Sequence, residues 1–557
     1  MTNYEIADHF SLLSKLMDIH GENSFKAKSY GITAFNIEKL PKEISEMSDE
    51  ELFSMKGIGE ATGQKIKELQ ATGRLAALDK ILAATPKGIL EMMQIKGIGP
   101  KKIAVIWKEM GLETLGELEY ACNENRLVSY KGFGEKTQQS ILESINYYNQ
   151  NQGFHLWADV EIVSKSLMQE LRLAMPYNLF ALTGKLRRQM ETLEGIDIVT
   201  DADKDKLIIQ FANVPGCVVN DEGMILSIKI PNQPNIKFHI EDTLKFYNRL
   251  FMLTGDMEFV TAFTEKYTLP ETPSSEEEIF AINELQFIPP AMRESSAILE
   301  RAASKTLPTL IQPQDIKAII HSHSNWSDGT NTIEQMAKAA IDKGLEYLVL
   351  SDHSQSAFYA NGLKPDRIAA QHQEIDALNE KLKPFKIFKS IEADILNDGS
   401  LDYSDDILRT FDLVITSVHS NLKMTEEKAM ARILTAIRNP YTTIMGHPTG
   451  RLLLSRAGYP IDHRKLIDEC VANNVVIEIN AHPRRLDMDW RWLEYAIEKG
   501  ALLSIDPDAH SVAGYNDVYY GVMAAQKGGL TARQNLSSFT LAEFEKFLDG
   551  YKKKRGG

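Results

Sequence analysis

Nine side chains in the C-terminal half of this 557-residue chain have the types and spacing of metal ligands. His321 and His323 follow a short apolar run, Ile316–Ile320, and Asp328 lies on the next loop. Residues two apart on a strand face one side, so both imidazoles converge at one strand end beside a carboxylate. The pattern recurs: further apolar runs end in His353, Glu392, His419, His447, Asp508 and His510. A single histidine after an apolar run is more often a hydrogen-bonded core residue. A series over successive strand ends, holding six of the chain's 13 histidines, reads as a ligand set. Nitrogen and oxygen ligands without thiolate suit Mn²⁺ or Zn²⁺, with Fe²⁺ as the alternative. Nine exceed what one ion uses, so two or three divalent ions bridged by carboxylates are expected. Glu392, His419 and Asp508 are the expected catalytic members. Arg451 and Arg456, with Asn480 and Arg485, are placed to neutralise a phosphodiester; surface ion pairing is the other reading of each arginine. Asp352, beside His353, either supports a ligand from behind or caps a strand end.

The elements that must position these groups are legible in outline. From Gln314 onward, apolar runs of about five residues alternate with helical stretches, as in a parallel barrel whose chemistry sits at the C-terminal strand ends. Residues 155–300 mix helical and strand-like patterns: a helix over Val160–Leu173, strand, helix start and strand between Phe180 and Asp201, and short β-rich runs at Lys206–Phe211 and Met224–Ile230.

The first 150 residues repeat one device three times. Gly57 and Gly59, Gly97 and Gly99, and Gly132 and Gly134 each stand in an apolar–Lys–Gly–apolar–Gly run before a helical stretch. Paired glycines allow a tight turn, and the helix behind it aims free N–H groups and its positive dipole end at the turn, a seat for phosphate. Acidic and basic residues nearly balance here, so backbone amides would do much of the binding.

The net charge of −15 argues against DNA binding by the whole surface but leaves local phosphate contacts open. Three scattered cysteines, no bilayer-length apolar run and no signal-peptide pattern fit a cytoplasmic protein without a disulfide frame.

Three resemblances follow from these motifs. The glycine repeats resemble helix-hairpin-helix motifs, and Gly21–Pro41 with Met55–Ile81 resembles the small N-terminal domain of DNA polymerase beta and family X DNA polymerases. By that resemblance Lys65 occupies the position of a lyase Schiff-base lysine; a solvated helix lysine is the other reading. The middle region resembles the nucleotidyltransferase palm of that family, and Glu284–Ala302 resembles its linker. Gly184 and the basic pair Arg187 and Arg188 are kept. Of the paired aspartates only Asp197 remains, because Gly195 holds the first position, and Phe238 or His239 stands where a third carboxylate belongs. One carboxylate cannot hold two divalent ions. The C-terminal region resembles the PHP (polymerase and histidinol phosphatase) domain. That resemblance implies one ion on His321, His323, Glu392 and Asp508, a second on Glu392, His419 and His447, and a third on Asp328, His353 and His510. Ile319 and Gln526 depart from residues common in the family.

The expected architecture is therefore multidomain. An all-α helix-hairpin-helix region (1–82, then 83–150) precedes a degenerate α/β palm and thumb (155–300) and a distorted (β/α)7 PHP barrel (314–557). The resemblances together imply a DNA-binding, metal-dependent 3′-5′ exonuclease of DNA repair, contacting the DNA backbone at 3′ ends, gaps or nicks, whose palm has lost nucleotidyl transfer. The alternatives are an active polymerase with attached exonuclease and a phosphatase of small phosphomonoesters.

Overall fold

A computed structural model of the chain describes residues 1–40, 42–55, 58–231 and 233–554. It divides into two compact units, Met1–Gln152 and Gly153–Gly557.

The first unit is all helix. Helix α1 (Asn3–His20) starts at a capping box, in which Thr2 accepts from the Glu5 N–H while Glu5 reaches back, and it ends at Gly21 in the left-handed region. Its apolar face, with Ile6, Phe10, Leu13 and Met17, packs on α2 (Ser24–Glu38). One continuous apolar core runs from Ile6 to Ile145, so the expected segments 1–82 and 83–150 share an interior. The three repeat helices form as expected: α3 (Glu60–Thr72), α4 (Pro100–Lys108) and α5 (Glu135–Gln150).

The second unit holds a five-stranded and a seven-stranded sheet, besides a short antiparallel pair of His155–Leu156 with Thr192–Leu193. Helix α6 (Trp157–Ala174) leads into β1 (Phe180–Thr183) and β2 (Gly195–Thr200). The run Lys206–Phe211, expected as strand, is instead helix α7 (Lys204–Phe211). Asp203 caps it by accepting from the N–H groups of Asp205 and Lys206, and Leu207 and Phe211, four apart, bury together; cap and helical period override β propensity. Of the two expected β-rich runs only Met224–Ile230 forms a strand, β4 (Ile225–Lys229), which pairs antiparallel with β3 (Val218–Asp221) and β5 (Asn235–Ile240). The sheet order is β1-β2-β5-β4-β3, with β2 and β5 parallel.

The barrel strands are β6 (Ala318–Ile319), β7 (Tyr347–Leu350), β8 (Lys386–Asp394), β9 (Leu413–Ser417), β10 (Ile444–Met445), β11 (Val476–Asn480) and β12 (Leu503–Asp506). They pair in sequence order, all parallel. The first strand keeps only two ladder residues of the expected Ile316–Ile320. The ring is nearly closed by a parallel bridge between Ser322 and Ala509, in which His323 N–H donates to Ala509 O at 2.8 Å and Ala509 N–H to His321 O at 3.2 Å. Closure thus falls on the ligand-bearing ends. The palm and barrel interiors merge: Phe238 and Leu348 belong to one cluster, so residues 155–300 and 314–557 fold as neighbours in a single unit.

Candidate metal centre

All nine expected ligands converge on the C-terminal ends of the barrel strands. His323, Asp328, His353 and His510 can place one ligand atom each within 4.8 Å of one another; so can His321, His323 and Asp508, and so can His353, Glu392 and His419. Glu392 is central. Its Oε1 lies 3.0 Å from His447 Nε2, 3.2 Å from His419 Nε2 and 3.5 Å from His321 Nε2, and its Oε2 lies 2.8 Å from His353 Nδ1. Asp508 Oδ1 lies 3.1 Å from His323 Nε2, and Asp328 Oδ1 3.4 Å from His510 Nε2. His353 and His323 therefore stand between sets rather than in one alone. Asp508 adopts φ +53°, a left-handed backbone that aspartate tolerates better than most residues and that turns its carboxylate back into the ring.

Buried polar atoms ordinarily find hydrogen-bond partners. His321 Nε2, His323 Nδ1 and His447 Nδ1 have none among the described residues, and His353 Nδ1 and Glu392 Oε2 lie 2.8 Å apart without the angles of a hydrogen bond. Burial alone would hold Glu392 protonated, yet His419, His321 and His353 override it and keep its carboxyl well below the usual range. Burial drives His323 down to about 3, reinforced by His510 and His353, so this imidazole is a neutral donor. A largely buried set of carboxylates and imidazoles whose nitrogen and oxygen atoms face one another fits divalent cations.

Two supports were not anticipated from sequence. Glu478 Oε2 accepts from His321 Nδ1 at 2.7 Å, and its Oε1 accepts from His447 N–H at 3.2 Å and from Asn480 Nδ2 at 2.9 Å. Asp394 accepts from His419 Nδ1. Each bond fixes a tautomer and leaves Nε2 free as the ligand atom. A signal was available: Asp394 follows Glu392 by two residues and Glu478 precedes Asn480 by two, the same parity that relates His321 to His323. Asp352 acts on the loop: it accepts from Ser324 N–H at 2.8 Å, Ser324 Oγ at 2.7 Å and Gln371 Nε2 at 2.6 Å, and so ties the Ser324–Asp328 turn to the barrel.

The arginines separate. Arg485 reaches the ring, with Nε 3.7 Å from Asp508 Oδ2. Arg451, expected to contact phosphate, is engaged within the protein: its Nε donates to Arg485 O at 2.9 Å, Nη1 to Asp489 at 2.6 Å and Nη2 to Leu486 O. With those donors satisfied internally, Arg451 holds the 485–489 turn that carries Arg485. Arg456 likewise donates to Gly450 O at 2.8 Å.

The palm residues form a different picture. Gly184, at φ +63°, sits over Asp197, whose Oδ1 is 2.8 Å from His239 Nε2. A Cβ on Gly195 would stand 2.2 Å from the Asn235 carbonyl oxygen across the β2–β5 pairing, so no carboxylate fits there without moving backbone. Arg187 donates to Thr254 Oγ1 at 2.7 Å and to Glu276; Arg188 donates to Glu294 at 3.0 Å, Thr254 O at 3.0 Å and Asp256 at 3.3 Å.

In the helical unit Gly97 and Gly132 take φ +89° and +93°, which requires glycine. Gly59, Gly99 and Gly134 are the N-cap residues of α3, α4 and α5. No side chain caps these helices, and a Cβ at each glycine would meet nothing within 4 Å. Three helix N-termini thus open onto free space. Lys65 is half-buried on α3, and Gly57 lies outside the described residues.

Among the described residues no helix is long and apolar enough to cross a membrane. Residues 1–75 match the helix-hairpin-helix domain family, 89–146 the SAM-like helix-hairpin-helix tandem family and 320–482 the PHP domain family. A probable phosphatase of Thermoanaerobacter sp. is 27% identical over 252 residues, 42% of this chain and 96% of that protein. A probable phosphatase of Caldanaerobacter subterraneus is 29% identical over 171 residues, 29% of this chain and 60% of that protein. The DNA polymerase/3′-5′ exonuclease PolX of Bacillus subtilis is 33% identical over 556 residues, covering 96% of each chain. Helical hairpins, palm and nine-ligand barrel all lie within that alignment, and the chain belongs to the PolX family.

Proposed function

We propose that this protein is a DNA-binding 3′-5′ exonuclease of DNA repair whose barrel is its only catalytic centre, and that its palm no longer transfers nucleotides. The observation that carries the reading is the contrast in ligand sets: nine converging histidines and carboxylates in the barrel, six of them buried and five with an unpartnered polar atom among the described residues, against one histidine-paired carboxylate in the palm. The PHP domain is metal-dependent, and His321, His323, Asp328, His353, Glu392, His419, His447, Asp508 and His510 would hold two or three divalent ions, Mn²⁺ or Zn²⁺ first and Fe²⁺ next by their nitrogen–oxygen character. Such ions supply Lewis-acid activation of water and neutralisation of phosphate charge. The chain's own residues do the rest. Glu478 and Asp394 hold the imidazoles of His321 and His419 in the tautomer that presents Nε2 inward. Arg485, carried by the turn that Arg451 fastens, faces the non-bridging oxygens of the scissile phosphate. The open N-termini of α3, α4 and α5 bind the DNA backbone through free amides, which suits the near-neutral charge of that unit.

The test is a 3′-recessed, end-labelled duplex incubated with Mn²⁺, with and without dNTPs. The expected result is a ladder shortened from the 3′ end in both conditions and absent in His419→Ala. Template-directed extension with dNTPs would overturn the palm reading. Turnover of p-nitrophenyl phosphate without shortening of DNA would favour a phosphatase, as the names of the probable-phosphatase relatives suggest.

A further inference from the structure

Between the ligands His353 and Glu392 the chain makes a loop, Ser354–Leu363, that is fastened at both ends to the metal centre yet presents two aromatic rings to solvent. Ser354 N–H donates to Glu392 O at 3.1 Å, its Oγ accepts from Asp394 N–H at 2.9 Å, and Leu363 N–H donates to His353 O at 2.9 Å. Inside the loop Ser356 N–H donates to Asp402 at 2.6 Å, and Gln355 N–H to Tyr403 Oη at 3.1 Å. Ala357 and Ala360 are buried, and a Cβ on Gly362 would stand 1.8 Å from Ser354 O, so the turn is closed against its own backbone. Asn361, at φ +55°, donates from Nδ2 to Trp326 O at 3.2 Å and so ties this loop to the one carrying Asp328. Phe358 and Tyr359 sit on this frame 86% and 64% exposed, ring centroids 5.9 Å apart and nearly perpendicular.

Two exposed rings on so constrained a turn have no packing purpose: turning them inward would bury apolar area that the loop leaves in water. Their position is specific. A cavity of about 520 Å³ is lined by both rings together with Asp394, the carboxylate that orients His419. An exposed ring face with a second ring set edge-on beside it, next to a phosphodiester-hydrolysing centre, matches one part of a nucleic-acid end, the base attached to the attacked nucleotide. Every base offers a π-face, so stacking grips the end without reading its sequence. A rigid turn also holds that base in one place at little entropic cost.

We propose that Phe358 and Tyr359 form a stacking platform for the base of the 3′-terminal nucleotide and thereby position the terminal phosphodiester over the metal centre. The proposal rests on the exonuclease reading above. They are positioning residues, since neither need touch the reacting atoms.

The test compares two single-stranded oligonucleotides differing only at the 3′ end, one with a normal terminal base and one with an abasic tetrahydrofuran residue, by kcat/KM with Mn²⁺. The wild type is expected to favour the base-bearing end by about 10-fold, the worth of one base–aromatic stack. In F358A/Y359A that preference falls to about 1, while F358W restores it. A merely structural defect would slow both substrates together and leave the ratio standing, and that result would overturn the platform, as would a wild type indifferent to the terminal base. A second arm separates this proposal from the exonuclease reading. An oligonucleotide ending in 2-aminopurine is titrated with metal-free protein; quenching by the wild type and its loss in F358A/Y359A support stacking even if no DNA is degraded. Equal quenching by both proteins counts against it.

Discussion

The palm and the barrel share one interior but have opposite relations between polar groups and partners. In the palm each retained family residue has found a protein partner: Asp197 bonds His239, Arg187 bonds Glu276, and Arg188 bonds Glu294 and Asp256. The Gly195 backbone lies so close to Asn235 that a first carboxylate has no room. In the barrel the ligands crowd together at 0–8% exposure for His321, His323, His353, Glu392, His447 and Asp508, and several of their lone pairs have no protein partner. Groups that pair with one another, as Asp197 and His239 do, leave little to hold an ion, although His239 Nδ1 itself lacks a partner among the described residues. Buried atoms left unsatisfied, as in the barrel, are ones that bound cations would complete. The pattern of partners thus adds to what residue identity says of the two sites.

The largest effect expected from breaking this contrast is at Glu478. It is no expected ligand, yet one carboxylate orients His321, accepts from the His447 backbone and holds Asn480. Glu478→Gln keeps the shape but puts an amide where an acceptor is needed. We expect up to about 100-fold weaker metal binding, roughly 2.7 kcal/mol, with the exonuclease rate at limiting Mn²⁺ falling in step. Metal titration of the apoprotein measures it; an unchanged affinity would mean that the histidines orient themselves without support from behind.

The barrel ligands were legible because a two-residue period and a parallel topology turn sequence position into a place on one rim. His321 and Glu478, 157 residues apart, were not, because their bond depends on closure of the ring between Ser322 and Ala509. Arg451 differs: a basic residue next to a ligand strand reads as a phosphate contact, and only the fold of the 485–489 turn shows that each of its nitrogens already bonds within the protein. Lys206–Phe211 reads as strand on β-rich composition, and the single cap at Asp203 decides for helix. The palm's missing carboxylate was visible at Gly195; that the backbone has since closed over the vacancy was not.

A direct attempt to undo the palm's loss is Gly195→Asp. If only a side chain were missing, restoring it beside Asp197 would begin to rebuild a metal pair. The 2.2 Å approach to Asn235 O says otherwise. We expect no template-directed incorporation and a destabilisation of about 2 kcal/mol from forcing a side chain into the β2–β5 contact, read from the denaturant midpoint. Incorporation gained without loss of stability would break the comparison, because the palm would then be one residue short of a catalytic centre rather than a consolidated scaffold.

The smallest effect tests whether the palm's basic residues now serve the barrel. Lys527, on the barrel side, is fully buried; its Nζ donates to Arg188 O at 2.7 Å and to Glu294, the carboxylate that also takes Arg188, and lies 4.4 Å from the centre of the Trp490 ring. Gln526 beside it donates to Ile311 O at 2.8 Å. Burial pushes the ammonium down to about 8 from 10.5, against the pull of Glu294. Below pH 8 the lysine is charged in folded and unfolded chains alike, and the cost of burying the charge is present in full. Between pH 8 and 10.5 the unfolded chain binds more protons, so stability contributed at this position rises with pH. From pH 8 to 9 the rise is about 1 kcal/mol. Lys527→Met removes the titrating group while Arg188 still pairs Glu294, so the difference in unfolding free energy between wild type and variant should shift by that amount over this interval. A constant difference would mean that Lys527 reaches water.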